Sequence, residues 1–146
     1  MVYMDKITNW LYIGGKTTKE AIAYNKIKYV INLSGVPCDY EVDATISIAD
    51  AGAKNNNTPE RFIRIIKEIN TAVKNGKTPI FLMCHAGNSR SPALASLYLY
   101  YNHDFDSFDD ALDYVKKHSN IANPNPNFID FIKKKVIPKM VSELID

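Results

Sequence analysis

The chain has little cysteine, no long apolar run, no internal repeat and almost no net charge, and each shortage removes a class of function. Only Cys38 and Cys84 carry thiols among 146 residues. Two cysteines do not make a disulfide framework, and their spacing from the three histidines fits no zinc site. No apolar stretch approaches the roughly 20 residues that cross a bilayer. Met1 to Trp10 contains Asp5 and lacks an apolar core segment, so it does not read as a secretory signal. The formal charge of +2 is too small to call for nucleic acid or a membrane surface as partner. One local positive pocket would still suit a small anion. These absences lead us to expect a soluble cytoplasmic monomer with no cofactor and no metal.

What is present is an ordinary globular composition, 46% hydrophobic and 23% charged, in one domain's length. No domain boundary is visible, so residues 1–146 are read as a single domain. The polar stretch Lys54-Asn55-Asn56-Asn57 reads as a loop before a helix. Short apolar segments alternate with helical patterns. Trp10-Leu11-Tyr12-Ile13 is β-prone and ends at the turn signal Gly14-Gly15; Thr17 to Tyr24 fits a short helix. Lys28 to Leu33 and Pro79 to Met83 are apolar runs of the kind buried on both faces, and Ala44 to Ile48 is another strand candidate. Phe62, Ile65, Ile66, Ile69 and Val73 recur at helical spacing between Thr58-Pro59 and Gly76. Pro92 is expected to begin a helix carrying Leu94, Leu97, Tyr98 and Tyr101, and Ser107 with Asp110 resembles a cap for the next. A last helix carries Phe128, Phe131, Ile132 and Val136, and Pro138 is expected to kink or end it. The alternation predicts an α/β fold with a short, mainly parallel sheet of four to five strands flanked by helices on both faces. Ligands of such folds bind at the carboxyl ends of the strands.

One such end carries unusual chemistry: Met83-Cys84-His85-Ala86-Gly87-Asn88-Ser89-Arg90-Ser91-Pro92. A strand runs in and a helix runs out. Inward-facing N–H groups of such a loop, with the positive end of the following helix, make an anion cradle. Gly87 permits the tight path, and Pro92 suits a first helical turn. Cys84 at the base of the cradle gains from the same positive field, which favours a thiolate. Arg90 offers a planar fork that matches two phosphoryl oxygens, which lysine does not. Alone, Cys84 would read as a buried structural cysteine and Arg90 as a surface charge. Together, at this spacing and before a helix, they read as a nucleophile and a phosphate clamp. His85, Ala86, Gly87, Asn88, Ser89 and Arg90 would then line the phosphate. For Asn88 and Ser89 the contribution is read as backbone N–H rather than side chain, and His85 as a rim residue.

With those residues in hand, the chain resembles the dual-specificity branch of the cysteine-based protein tyrosine phosphatases. Ala86-Gly87 and Ser89-Arg90-Ser91 around Cys84 match that family's loop. The likeness extends to Ile7 through Gly14, Val30 to Leu33, Ile46 to Asp50, and Pro124-Asn125 before Phe128. Met83 departs from it, because the family usually has histidine there, where it helps set thiolate acidity and loop geometry. The resemblance implies a phosphatase-type fold and a phosphocysteine intermediate on Cys84. It also implies that Ser91 steadies the sulfur as leaving group and that Asn125 braces the loop. A helix cap is the other reading of Ser91.

Monoester cleavage also needs a proton for the leaving oxygen. Asp50, at a strand end and followed by Ala51-Gly52, is the candidate acid, and the resemblance points to the same residue. Asp39 and Asp43 are read as solvated, as are His103, His118 and the face Lys133-Lys134-Lys135. Cys38 is either a redox partner for Cys84 or a plain thiol, and the plain thiol is the expectation. The expected function is hydrolysis of phosphotyrosine, with phosphoserine and phosphothreonine as further substrates, on phosphoprotein partners. RNA 5′ ends or inositol phosphates are the alternative substrates of the same loop. The lack of lysine inside it and the mild charge disfavour them. A phosphate-binding pseudoenzyme would lack Cys84, Arg90 or Asp50, and a rhodanese or arsenate reductase fits the Arg90-Ser91 helix start less well.

Overall fold

The computed structural model describes residues 4–52 and 57–145. Lys54, Asn55 and Asn56 of the polar stretch expected as a loop lie outside the described residues, as do the first three residues. Among the described residues five strands form one sheet in the order β1-β2-β5-β3-β4: β1 Met4–Lys6, β2 Leu11–Gly14, β3 Tyr29–Asn32, β4 Ala44–Thr45 and β5 Ile80–Met83. Only β1 is antiparallel, to β2; the other pairs are parallel. The chain crosses from β2 to β3 through α1 Lys19–Tyr24 and from β4 to β5 through α2 Pro59–Lys74, while residues 33–43 join β3 to β4 without a helix. After β5 come α3 Arg90–Tyr101, α4 Phe108–Lys117, and a C-terminal run beginning with α5 Pro126–Phe131.

The central strand β5 is buried at every residue, so its side chains alternate between two cores. Ile80 and Leu82 join the larger core with Ile31, α2 and α3. Phe81 and Met83 join Val30 on the opposite face, covered by Ile22 of α1 and by the loop bearing Cys38 and Tyr40. Helix α2 buries Phe62, Ile63, Ile65, Ile66 and Ile69. Each such side chain stabilises the layer by roughly 1.5–3 kcal/mol. Its start is set by Thr58, whose hydroxyl accepts the Arg61 N–H, and by Pro59 in the first turn. Helix α3, between sheet and α4, is buried on nearly all sides from Ser91 to Leu99. The Ser107 cap of α4 is present, its hydroxyl accepting the Asp110 N–H at 3.0 Å.

Three expectations change in detail. The strand expected over 44–48 pairs in the ladder only at Ala44–Thr45. Its partner β3 stops at Asn32, whose side-chain oxygen accepts the N–H groups of Ser34 and Gly35 and turns the chain. Ile46 and Ile48 still donate to Asn32 and Leu33 carbonyls, so the segment continues extended. Helix α3 begins at Arg90, so Pro92 sits within the first turn, where its missing N–H costs nothing. Pro138 does not end the last helix. After α5 the chain widens into a π-helical turn, Ile132–Val136, in which Ile137 N–H reaches the Ile132 carbonyl. It then continues through α6 Ile137–Met140 and a second wide turn, Val141–Ile145. The wider turn shifts the hydrogen-bond register next to a residue that has no N–H to offer.

Candidate active site

The loop from β5 to α3 starts at Cys84, which is 2% exposed. The backbone N–H groups from His85 through Arg90 have no acceptor among the described residues. The loop's carbonyls, by contrast, are tied from outside. Lys16 N–H donates to His85 O at 3.1 Å, and Asn123 N–H to Asn88 O at 2.6 Å. A run of donors without acceptors, each costly to leave unpaired, is what an anion site requires.

Two glycines shape this path together. Gly87 has φ +83°, and a side chain there would collide with the Gly14–Gly15 backbone. A Cβ on Gly15 would lie 2.8 Å from the Ala86 carbonyl carbon. The loop therefore rests on the turn after β2 with no room for a side chain on either. The turn signal Gly14-Gly15 was legible in the sequence; its contact with the loop was not.

Ser91 N–H points to Cys84 Sγ at 3.4 Å, and Ser91 Oγ lies 2.9 Å from the sulfur. The same hydroxyl is 3.0 Å from Gly14 O, which also accepts the Cys84 N–H at 3.0 Å. One hydroxyl proton cannot serve both acceptors. With a thiol, Cys84 donates to Ser91 Oγ and Ser91 donates to Gly14 O. With a thiolate, the Ser91 proton turns to sulfur while Gly14 O keeps the Cys84 N–H. Ser91 is the second residue of α3, and its side chain faces the sulfur rather than capping the helix.

Arg90 Nη1 donates to Ile48 O at 2.9 Å. That bond ties the guanidinium to the segment leading to Asp50 and leaves its other donors without acceptors among the described residues. Asp50 is exposed and sits in no regular element. Ser89 Oγ donates to Asp50 Oδ1 at 2.5 Å, and Asn125 Nδ2 donates to Asp50 O at 3.1 Å. Asn125 N–H in turn donates to Ser89 Oγ at 2.9 Å. So Cys84, Arg90, Ser91, Asp50 and Asn125 lie together at one end of the sheet.

Two residues escaped sequence reading. Asn57 is 6% exposed and clips the segment around Asp50. It accepts Ala49 N–H at 2.8 Å and donates to the carbonyls of Ala49, Ala51 and Gly52 at 2.8, 3.2 and 3.1 Å. Its place just before the Thr58 cap was the available signal. The Ser89 side chain is the other; it was read as a backbone donor only, yet its hydroxyl links Asp50 to Asn125. Arg61 adds a further tie, donating to Ser47 O at 2.9 Å.

The remaining candidates lie apart. Met83, in the position before Cys84, is fully buried against Val30 and Phe81. Cys38 packs with that same cluster, whereas Cys84 belongs to the core on the other face of the sheet; both thiols are free. Burial, with Cys38 beside it, pushes the Tyr40 phenol up. His85, Ala86 and Asn88 are exposed on the loop itself. His103, His118 and Lys133 to Lys135 are exposed elsewhere, in the turn after α3, at the end of α4 and on the C-terminal run respectively. Asp39 and Asp43 are exposed too, though Asp43 also accepts the Val30 N–H at 2.8 Å. Among the described residues no helix is long and apolar enough to cross a membrane.

Residues 11–136 match the family model "Dual specificity phosphatase, catalytic domain". The chain belongs to this family. Among relatives, the protein-tyrosine-phosphatase MKP1 of Arabidopsis thaliana is 27% identical over 129 residues. That alignment covers 85% of this chain but only 16% of the relative, so the chain spans about a sixth of its length. Among solved structures, human DUSP28 superposes with a TM-score of 0.77 at 20% identity, covering 95% of this chain and 99% of that one. DUSP15 superposes with a TM-score of 0.73 at 25% identity, covering 90% and 85%. The sheet order and the helices on both faces are those of this phosphatase fold.

Proposed function

We propose that this chain is a phosphomonoesterase acting on phosphotyrosine, and on phosphoserine and phosphothreonine, in proteins through a phosphocysteine intermediate on Cys84. The observation that carries the reading is the ring of acceptor-free N–H groups from His85 through Arg90 above a buried cysteine. A phosphoryl group seated there meets the Cys84 sulfur on one side and the Arg90 fork on its equatorial oxygens. In the first step the S–P bond forms, the P–O bond to the substrate breaks, and Asp50 gives its proton to the leaving oxygen. In the second, Asp50 takes a proton from water as water attacks phosphorus, and sulfur departs as a thiolate steadied by the Ser91 hydroxyl. Family membership and the hydrogen bonds among Asp50, Ser89, Asn125 and Arg90 support this division of roles.

The experiment is a substrate panel: phosphotyrosyl, phosphoseryl and phosphothreonyl peptides, 5′-phosphorylated RNA and inositol phosphates, each assayed for released phosphate. The reading expects turnover on phosphopeptides, with phosphotyrosine first. Turnover confined to RNA or inositol phosphates would move the substrate class. Phosphopeptide binding without turnover on any member would make the chain a phosphate-binding scaffold instead.

A further inference from the structure

Serine at the start of a helix ordinarily accepts a backbone N–H from the second or third helical residue. Ser89 occupies that position before α3 and makes no such bond. Both partners are missing for reasons written in the loop. The third helical residue is Pro92, which has no N–H, and the N–H of the second, Ser91, points to the Cys84 sulfur. The Ser89 hydroxyl is therefore free of its usual duty, yet it is only 3% exposed. It is engaged instead by two groups of different kinds. Asn125 N–H donates to its oxygen at 2.9 Å, and it donates to Asp50 Oδ1 at 2.5 Å. With a fixed backbone donor on its acceptor side, the hydroxyl proton has one acceptor in reach, the carboxyl.

A carboxyl group has two equivalent oxygens until something distinguishes them. Here Oδ1 is occupied by the Ser89 hydroxyl, whereas Oδ2 takes no hydrogen bond from the described residues. A proton on Oδ1 would face the Ser89 proton head-on, so the neutral acid carries it on Oδ2.

We propose that Ser89 is a positioning residue for the general acid: its hydroxyl, oriented by the Asn125 N–H, occupies Asp50 Oδ1 and assigns proton delivery to Oδ2. This rests on the reading of Asp50 as the acid given above. In the first step the Oδ2 proton passes to the leaving oxygen as its bond to phosphorus breaks, and the ionised carboxylate keeps its Ser89 bond at Oδ1. In the second step Oδ2 is the oxygen that receives the proton of the attacking water. The Ser89 hydroxyl neither gains nor loses a proton through the cycle.

The test is the dependence of kcat/KM on the leaving group across a series of aryl phosphates, because poor leaving groups need the proton and good ones hardly do. Ser89→Ala should lose about 10- to 100-fold on phenyl phosphate, the range set by one hydrogen bond to a charged group, and about threefold or less on p-nitrophenyl phosphate. Ser89→Thr, which keeps the hydroxyl, should restore most of the phenyl phosphate rate. Asp50→Asn should show the same steep dependence with a larger loss. Adding Ser89→Ala to it should cost about twofold or less further, since both act through one proton. Vanadate inhibition and the melting temperature report whether the phosphate loop is intact, and Ser89→Gly is a second way to remove the hydroxyl.

Equal losses across the series with weakened vanadate binding would mean that Ser89 only shapes the loop, and the proposal fails. It also fails if Ser89→Ala costs nothing, or if its loss adds in full to that of Asp50→Asn. Should Asp50→Asn itself show no leaving-group dependence, the assignment of the acid falls and this proposal with it. A steep dependence for Asp50→Asn beside a flat one for Ser89→Ala overturns the present proposal alone.

Discussion

The two halves of the site are built on opposite principles. The phosphate loop is short and continuous, running from Cys84 to Arg90 between a buried strand and a buried helix, and it rests on the turn after β2 through Gly15 and Gly87. The acid segment that reaches Asp50 has no regular structure of its own. Backbone bonds to Asn32 and Leu33 and two core isoleucines hold it as far as Ile48. Around and beyond that point it hangs from side chains of distant elements: Arg61 and Asn57 near the start of α2, Arg90 and Ser89 of the loop, and Asn125 before α5. A binding cradle must hold fixed geometry against a highly charged guest, and backbone packing supplies that rigidity. A group that gives up a proton and later takes one needs a defined position, and side-chain ties can supply it from a loop. The difference implies that damage to the first half removes anion binding or bond making, whereas damage to the second leaves anion binding and slows proton transfer.

Substitutions can break or sharpen that contrast. The largest expected effect is Cys84→Ser, which should abolish turnover while phosphate or vanadate still binds, as followed by calorimetry; retained turnover would remove Cys84 as nucleophile. Asp50→Asn should slow turnover by roughly 10²–10⁴-fold and flatten the alkaline limb of the pH profile, because a general acid must be protonated and activity falls as pH rises through its ionisation. Vanadate inhibition should survive in that variant, and its loss would show that the two halves are not separable. Arg90→Lys keeps the charge and loses the fork. It should cost about 10²–10³-fold in kcat and weaken vanadate binding as well. Normal kinetics in this variant would contradict a bidentate grip.

Asn57→Ala is the mildest of these changes and probes the hanging segment alone. It strands the Ala49 N–H and the carbonyls of Ala49, Ala51 and Gly52, a local cost of about 1–3 kcal/mol for groups left unpaired. Hydrogen exchange should quicken at Ala49 while the amides of β5 stay protected. A lower kcat with unaltered vanadate inhibition is the expected kinetic result. Equal deprotection of both regions would show that Asn57 supports the whole fold and not the acid segment.

Legibility in the sequence follows the same division. The apolar runs of β3 and β5 and the helical spacing of Phe62 to Ile69 announce themselves because burial on a strand or a helix face imposes a period. The loop was legible because its residues are contiguous and their types are chemically unusual together. Asp50 stood out as a candidate from its place at a strand end and from the resemblance. What held it was not legible: Asn57 and the Ser89 side chain act through contacts that only the folded chain brings about. Ser89 was read for its backbone N–H alone, because a helix expected to begin at Pro92 puts Ser91, not Ser89, in the cap position. The helix end expected at Pro138 does not occur, for a related reason. A proline forbids the ordinary helical register, but the wide turn of Ile132–Val136 offers another register next to it.

The most direct test is acid quenching of the enzyme during turnover of a radiolabelled phosphopeptide, followed by peptide mapping of the label. The account predicts one phosphoryl group linked to sulfur at Cys84, absent in Cys84→Ser and formed more slowly in Asp50→Asn. Label on any other residue, or full turnover with no labelled protein even under single-turnover mixing, would contradict it.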